Sequence, residues 1–313
     1  MNSTMAMTTV STTITAEDAG RVDLVVRELS KASRSQVRGM VDHGCVSING
    51  KPCTAIAATV SVGDEVAVRY DPHQRYHEKK KIWEDRTFTV AYEDDYLIVV
   101  DKSAGSLTVP TDNNNDRNTL VERVSIYLSH SRKKREACVV HRLDREVSGL
   151  LVFGKQPDVA EALIQQFKQR KPQRLYAAIV AGSLAQDEGT FRSHLATGKN
   201  LDRYVAPPSE KSELAITHYR VLRRMADTTL VEVQLETGKR NQIRVHFADA
   251  GHPVLGDPRY KKEAAKHPRW IRKRIALHAK SLGFVHPANG EEMTIDSPLP
   301  AAMEKFIASQ RHR

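Results

Sequence analysis

Cysteine is scarce. The chain carries three, Cys45, Cys53 and Cys138, an odd count without a CxxC pair. That argues against a disulfide framework and points to a reducing compartment, with the cytoplasm as the expected location. Long apolar runs are missing too. The longest are short, such as Tyr96–Val100, so no membrane span is expected. The stretch Met1 to Ala16 is rich in Thr and Ser, with neither a basic start nor an apolar core. Residues 1–19 therefore read as a disordered tail and not as a signal peptide. The chain has 13 histidines but no HExxH, and Cys45 and Cys53 lack metal-ligand spacing, so no metal is expected. It shows no glycine-rich phosphate loop and no internal repeat.

What the chain does have is positive charge. Its 313 residues carry a net charge of +10, and the isoelectric point is about 9.5. Such a surplus favours a polyanionic partner, because each neutralised phosphate releases condensed counterions. The length suits about two domains.

The first unit runs over residues 20–70. Val22, Val25, Val26 and Leu29 fall on one helical face. Ser33 is a candidate N-cap for a second helix that Gly44 ends, with Val37, Met40 and Val41 turned inward. Short strands at Val46–Ile48 and Lys51–Cys53 flank Asn49-Gly50, the strongest short hairpin signal. A Gly63-Asp64 turn leads to a strand at Glu65–Arg69. Lys31, Arg34 and Arg38 are spaced by three and four, as on one helix face, and such a basic stripe suits phosphate contact. A solvated helix face gives the same spacing.

Residues 71–86 are polar, with Lys79-Lys80-Lys81, and read as a linker. The second unit, 87–313, is strand-rich. Tyr96–Val100, Gly149–Phe153, Leu175–Val180 and Leu214–Leu222 have strand length, and Thr228–Leu235 pairs with the last across Ala226-Asp227. A helix with Asp158 as its cap carries Val159, Leu163 and Phe167 at four-residue intervals, and another covers Gln242–Ala250. Scattered helices without regular alternation indicate an α+β fold with a mixed or antiparallel sheet.

One stretch concentrates chemistry: His141-Arg142-Leu143-Asp144-Arg145-Glu146-Val147-Ser148-Gly149-Leu150-Leu151-Val152-Phe153-Gly154-Lys155. Five ionisable residues in six positions sit between apolar segments, so the connection belongs at a surface or cleft. Arginines flank Asp144 and favour its ionised form, which can serve as nucleophile or base. A loop carboxylate in an ordinary ion pair satisfies the same local pattern.

That stretch closely resembles the central motif of the RluA-type RNA pseudouridine synthases. Further segments are similar to that family in the same order. They are Arg174-Leu175-Tyr176, Gly238-Lys239-Arg240-Asn241-Gln242-Ile243-Arg244, His252-Pro253-Val254-Leu255-Gly256-Asp257 with Tyr260, and Leu277-His278-Ala279. In the first unit, Arg21-Val22-Asp23, Ser33-Arg34-Ser35, Val46 to Lys51 and Gly63-Asp64 resemble the S-four-type RNA-binding domain.

The resemblance implies an α+β catalytic domain behind a small α/β RNA-binding domain. It implies isomerisation of uridine to pseudouridine without a cofactor. The partner would be RNA, ribosomal RNA of the large subunit first and transfer RNA second, with the protein a monomer. It makes Asp144 the catalytic aspartate, Tyr176 the contact to the uracil ring and an aid to late proton removal, and Arg244 the partner of Asp144. Arg142 would help extrude the nucleotide, and His141 would brace the loop or touch RNA. Lys239 and Arg240 would contact the substrate, and Lys31, Arg34 and Arg38 would hold RNA from the first unit.

Two departures bear on target choice. Lys239-Arg240-Asn241 replaces the family's common Arg-Thr-His, and Asp101-Lys102-Ser103-Ala104-Gly105 lacks the usual proline after the lysine. Outside the motifs, Arg132 to Arg135 and the basic residues around Trp270 (261–274) suit RNA contact or a plain solvated helix. Two other readings stand beside the isomerase. One is an RNA-binding protein with an idle pocket. The other is a glycosidase, which needs two positioned carboxylates where this stretch offers only Asp144 and Glu146.

Overall fold

The computed structural model describes residues 7–53, 55–76, 86–111, 118–130, 135–270 and 274–310. The chain divides into two compact units, Met1–Trp83 and Glu84–Arg313. Lys79 to Lys81 and Arg132 to Lys134 lie outside the described residues.

The first unit runs β1 (Thr8–Thr13), β2 (Gly20–Arg21), α1 (Val22–Ser30), α2 (Arg34–Asp42), β3 (Val46–Ile48), β4 (Lys51–Pro52), β5 (Thr59–Val60) and β6 (Glu65–Tyr70). Four strands form a sheet in the order β1-β6-β3-β4. The valines of both helices pack on it through Val22, Val26, Val37, Val66 and Val68. Ser33 makes the capping box of α2 with Gln36. Asn49 and Gly50 both take positive φ, as a tight two-residue hairpin requires.

Two expectations change here. Thr8–Thr13, read as tail, is an edge strand paired along its whole length with β6. Its β-branched residues, alternately half-buried and exposed, suit a pleated edge, and Ile14 behind them is buried in the core. A tally of Thr and Ser hides that pattern. Lys31 also does not share a helix face with Arg34 and Arg38. It ends α1 in a left-handed conformation (φ 53°), and the capping box starts a separate helix at Arg34.

The second unit contains β7 (Phe88–Glu93), β8 (Leu97–Lys102), α3 (Leu120–Ser129), β9 (Cys138–Val139), β10 (Ser148–Gly154) and α4 (Pro157–Lys168). It continues with β11 (Gln173–Ala181), β12 (Glu188–Thr197), β13 (Arg203–Ala206), β14 (Ser212–Arg224), β15 (Thr228–Leu235), α5 (Gln242–Asp249), β16 (Leu277–Val285), β17 (Glu292–Asp296) and α6 (Ala301–Ser309). Its eleven-stranded sheet has the order β13-β12-β14-β15-β11-β16-β10-β8-β7, with β17 on β16 and β9 on β10. The sheet is mixed: β10 and β16 run parallel, and the other described pairs are antiparallel.

β10 is buried on both faces, which is why it reads as an unbroken apolar run. Each of Leu150, Leu151, Val152 and Phe153 contributes about 1.5–3 kcal/mol by leaving water. Leu150 and Val152 meet Val159 and Leu163 of α4. The cap of α4 is Gln156 with Pro157 in the first turn, so Asp158 lies inside the helix and not at its boundary.

Gly149 has φ +120°, and a Cβ there would come within 2.7 Å of the Ala279 Cα. Only glycine lets β10 approach β16 this closely. Ala279 also pairs with Tyr176 on β11. The loop ahead of β10 and the ring of Tyr176 are therefore referred to one residue.

The segment around Trp270 is not a stacking platform. Trp270 is 7% exposed, donates its indole N–H to the Arg274 carbonyl at 2.7 Å and packs edge-on against Phe306. Its ring is core, while Lys261, Lys262, Lys266 and Arg269 face water; Arg272 and Lys273 lie outside the described residues.

Candidate active site

The motif loop, residues 140–147, is fastened from below before its side chains act. Thr108 Oγ1 donates to the Leu143 carbonyl at 2.8 Å and accepts from the Leu143 N–H at 3.2 Å. The Gly105 N–H donates to the Arg145 carbonyl at 2.7 Å. Lys102, with no exposed surface, donates its ammonium to the carbonyls of Ser103 (3.0 Å), Arg145 (3.1 Å) and Val147 (2.7 Å). Burial pushes the Lys102 ammonium down to about 7, while Glu146 and Asp144 pull it back up.

His141 belongs to this bracing. Its ring stacks on Phe167 at 4.6 Å, and Nε2 accepts the Val152 N–H at 3.2 Å. Burial, with Arg174 second, lowers it to about 3, so it is neutral.

The turn into α5 supplies the counter-ion. Gln242 is 2% exposed and uses its whole amide. Its oxygen accepts from Thr237 Oγ1 and the Lys239 N–H, and its nitrogen donates to the Ile216 carbonyl and Thr217 Oγ1. Asn241 takes φ +57° just before the helix, a conformation asparagine tolerates better than most residues.

Arg244 follows three residues later. One Nη donates to Asp144 Oδ2 at 2.6 Å. The other Nη and Nε hold Asp257 bidentately at 2.8 and 2.7 Å. The guanidinium lies over Tyr260 at 5.1 Å. Burial alone would lower its pKa, and the carboxylates of Asp257 and Asp144 more than reverse that. Asp257 is sealed, whereas the Asp144 side chain keeps 24% of its surface.

That open side faces a cavity of about 310 Å³ lined by Arg142, Asp144, Tyr176, Lys239, Arg240 and Arg244, among others. Tyr176 is buried, and burial raises its pKa, with Arg174 opposing and Asp144 reinforcing the rise. The ring is a neutral phenol at neutral pH. Lys239 donates to Glu213 at 2.7 Å, and Arg240 donates to the Leu201 carbonyl. Arg142 is exposed at the rim.

Three distant segments, around Asp144, Tyr176 and Arg244, thus converge on one cavity. His141 lines a neighbouring cavity of about 570 Å³ instead. Arg34 and Arg38 are exposed on α2 and Lys31 at the end of α1, in the other unit. Reading the sequence for function left three positioning residues unassigned: Lys102, Gln242 and Asp257. The signal for Lys102 was a cation closing the apolar run Leu97 to Val100.

The arrangement is a carboxylate paired with a fixed guanidinium, beside a phenol, around a pocket of nucleoside scale. Human RNA pseudouridylate synthase domain containing 4 has the same fold. Its TM-score is 0.58 at 22% identity, over 70% of this chain and 91% of that one. Human RNA pseudouridylate synthase domain containing 1 agrees at a TM-score of 0.55, over 71% and 94%. The molecule is a pseudouridine-synthase-type α+β protein.

The family model for RNA pseudouridylate synthase matches residues 96–249, and that for the S4 domain matches 20–66. An uncharacterized RNA pseudouridine synthase of Bacillus subtilis is 34% identical over 89% of this chain and 90% of its own length. Ribosomal large subunit pseudouridine synthase D of Zymomonas mobilis is 32% identical over 95% and 96%. The same-named protein of Neisseria meningitidis serogroup B is 32% identical over 90% and 76%. The chain belongs to the RluA-type family of RNA pseudouridine synthases, with an S4 domain ahead of the catalytic domain. It is an isomerase of uridine in RNA.

Proposed function

We propose that this chain makes pseudouridine in large-subunit ribosomal RNA and that Asp144 is the carboxylate acting on the ribose. The relatives named for the large ribosomal subunit and the S4 domain support that target. One observation carries the site. Asp144 is bound on one side to a buried arginine and open on the other to the cavity that Tyr176 lines.

In this reading the target uridine leaves its stack, at a cost of a few kcal/mol that is smallest in loops. Its uracil enters the cavity beside Tyr176. The bond from the anomeric carbon to the ring nitrogen breaks while Asp144 acts at the ribose. The uracil turns, a carbon–carbon bond forms, one proton leaves the ring carbon and one joins the ring nitrogen. Atoms and charge balance with no co-reactant. Arg244 holds Asp144 aimed. Tyr176 contacts the ring and assists the late proton loss as a neutral phenol. Arg142 fills the gap left in the RNA, and Lys239 and Arg240 meet the strand. The protein works as a monomer in the cytoplasm, and no described helix is long and apolar enough to cross a membrane.

The test is pseudouridine mapping of total RNA with wild type, with Asp144→Asn and without protein. The amide should lower product formation by about 10³-fold or more while RNA affinity stays within about twofold. Undiminished product from Asp144→Asn sinks the assignment, and release of free uracil would replace isomerisation with glycosidic cleavage.

A further inference from the structure

The 570 Å³ cavity beside the Asp144 pocket has no part in the chemistry just described. Its walls are the end of α4, the start of β11, the end of β15 and the motif loop. Arg142, Tyr176, Leu235, Gly238 and Lys239 line both spaces, so the two adjoin. Five cations line the larger one (Arg142, Lys168, Arg170, Arg174 and Lys239), and no carboxylate does.

Arg174 is its distinctive group. The residue is 9% exposed, and no ion pair to it occurs among the described residues. Its Nε is buried without a hydrogen-bond partner. Among the described residues, the rest of the guanidinium makes one bond, from Nη2 to the Leu235 carbonyl, stretched to 3.5 Å. The remaining support is the ring of Phe167 at 5.6 Å. A Cβ on Gly238 would collide with Nη1, so glycine there makes room for the guanidinium. Three of the other cations are answered: Arg170 meets Glu236 at 3.4 Å, Lys239 meets Glu213 at 2.7 Å and Lys168 meets Glu161 at 3.8 Å.

A buried charge with unmet donors is costly, and the cost is relieved when an anion arrives. A phosphodiester supplies that anion, and planar guanidinium groups bind its oxygens well. A second stacked base is a poorer fit, because Phe167 is already engaged by His141 and Arg174.

We propose that this cavity is a subsite for one backbone phosphate of the RNA, adjacent to the nucleotide held at Asp144. Arg174 is its buried ligand, with Lys168 and Arg170 at the rim. The assignment rests on the reading that the Asp144 cavity receives the extruded uridine. It gives the RNA strand a direction of exit past Tyr176 and α4.

The probe is a synthetic stem–loop with an all-uridine loop, titrated with the full-length protein at rising KCl. Each phosphate contact on a single strand adds about 0.7 to the slope of log affinity against log salt. Arg174→Met should flatten the slope by about that amount and weaken binding about tenfold at low salt, whereas Arg174→Lys should keep the slope. Lys168→Gln is the second variant. Its side chain is 63% exposed, so folding is not at stake, and it too should flatten the slope. A companion series replaces single loop phosphates by neutral methylphosphonates. One such replacement should weaken wild type and leave Arg174→Met unchanged. Slopes equal to wild type in both Arg174→Met and Lys168→Gln overturn the subsite. Product formation by Asp144→Asn on the same RNA reports separately on the isomerase reading, since the slopes need no turnover.

Discussion

The two units treat positive charge in opposite ways. In the first, Lys31, Arg34 and Arg38 stand in solvent above a core built from valines. In the second, Lys102 and Arg244 are buried, and their donors are directed at chosen atoms. Exposed cations are screened by salt and interchangeable, which suits holding a polyanion without demanding a fixed pose. Buried ones keep a set geometry and interact through a low dielectric, which suits aiming a carboxylate. The same residue types are thus exposed in one unit and fixed in place in the other.

The comparison breaks first at Asp257. Asp257→Ala leaves unmet the Nε and Nη donors that the buried Arg244 directs at Asp257. It should cost about 3–5 kcal/mol of stability in chemical denaturation of the intact chain. A loss below about 1 kcal/mol would mean that burial does not make these charges interdependent.

Lys102 comes next. Lys102→Met removes three donors from carbonyls under the motif loop. At about 1 kcal/mol for each bond, the loss is roughly 3 kcal/mol, felt in turnover more than in RNA affinity. The pH response should separate loop order from global stability. With burial pushing it down to about 7, Lys102 sheds its proton in the folded protein well before the unfolded chain does, near 10.4. Between those values the unfolded state holds more protons, so this group makes stability rise with pH. A neutral amine, however, has two hydrogens for three carbonyls. Turnover should therefore fall above pH of about 7 while the unfolding midpoint does not fall with it. Stopped-time product assays and denaturation at matched pH check this. A parallel decline of both would refute it.

The smallest effect belongs to the first unit. Arg34→Ala and Arg38→Ala should each weaken RNA binding by about 0.5–1 kcal/mol, with turnover at saturating RNA unchanged. A drop in saturated turnover would show that the first unit also aligns substrate.

Local devices were legible in the sequence. The Ser33 cap, the Asn49-Gly50 hairpin and the strand Thr228–Leu235 each depend on neighbours within a few residues. The grouping of Asp144, Tyr176 and Arg244 came from family resemblance, because nothing local joins positions separated by 32 and 68 residues. The bracing was not legible. Asp257 is 13 residues from Arg244, and Lys102 is 45 from Val147. Neither separation leaves a periodic trace. The strand at Thr8–Thr13 was missed because its partner lies more than fifty positions away.

Gly149 gives the pocket a hidden adjustment point. The backbone of Ala279 touches the strand that follows the Asp144 loop and also pairs with Tyr176. A methyl group at position 149 would wedge that seam open from behind, shifting carboxylate and phenol relative to each other without altering either. The spacing across the mouth is thus set by an atom that residue 149 does not possess.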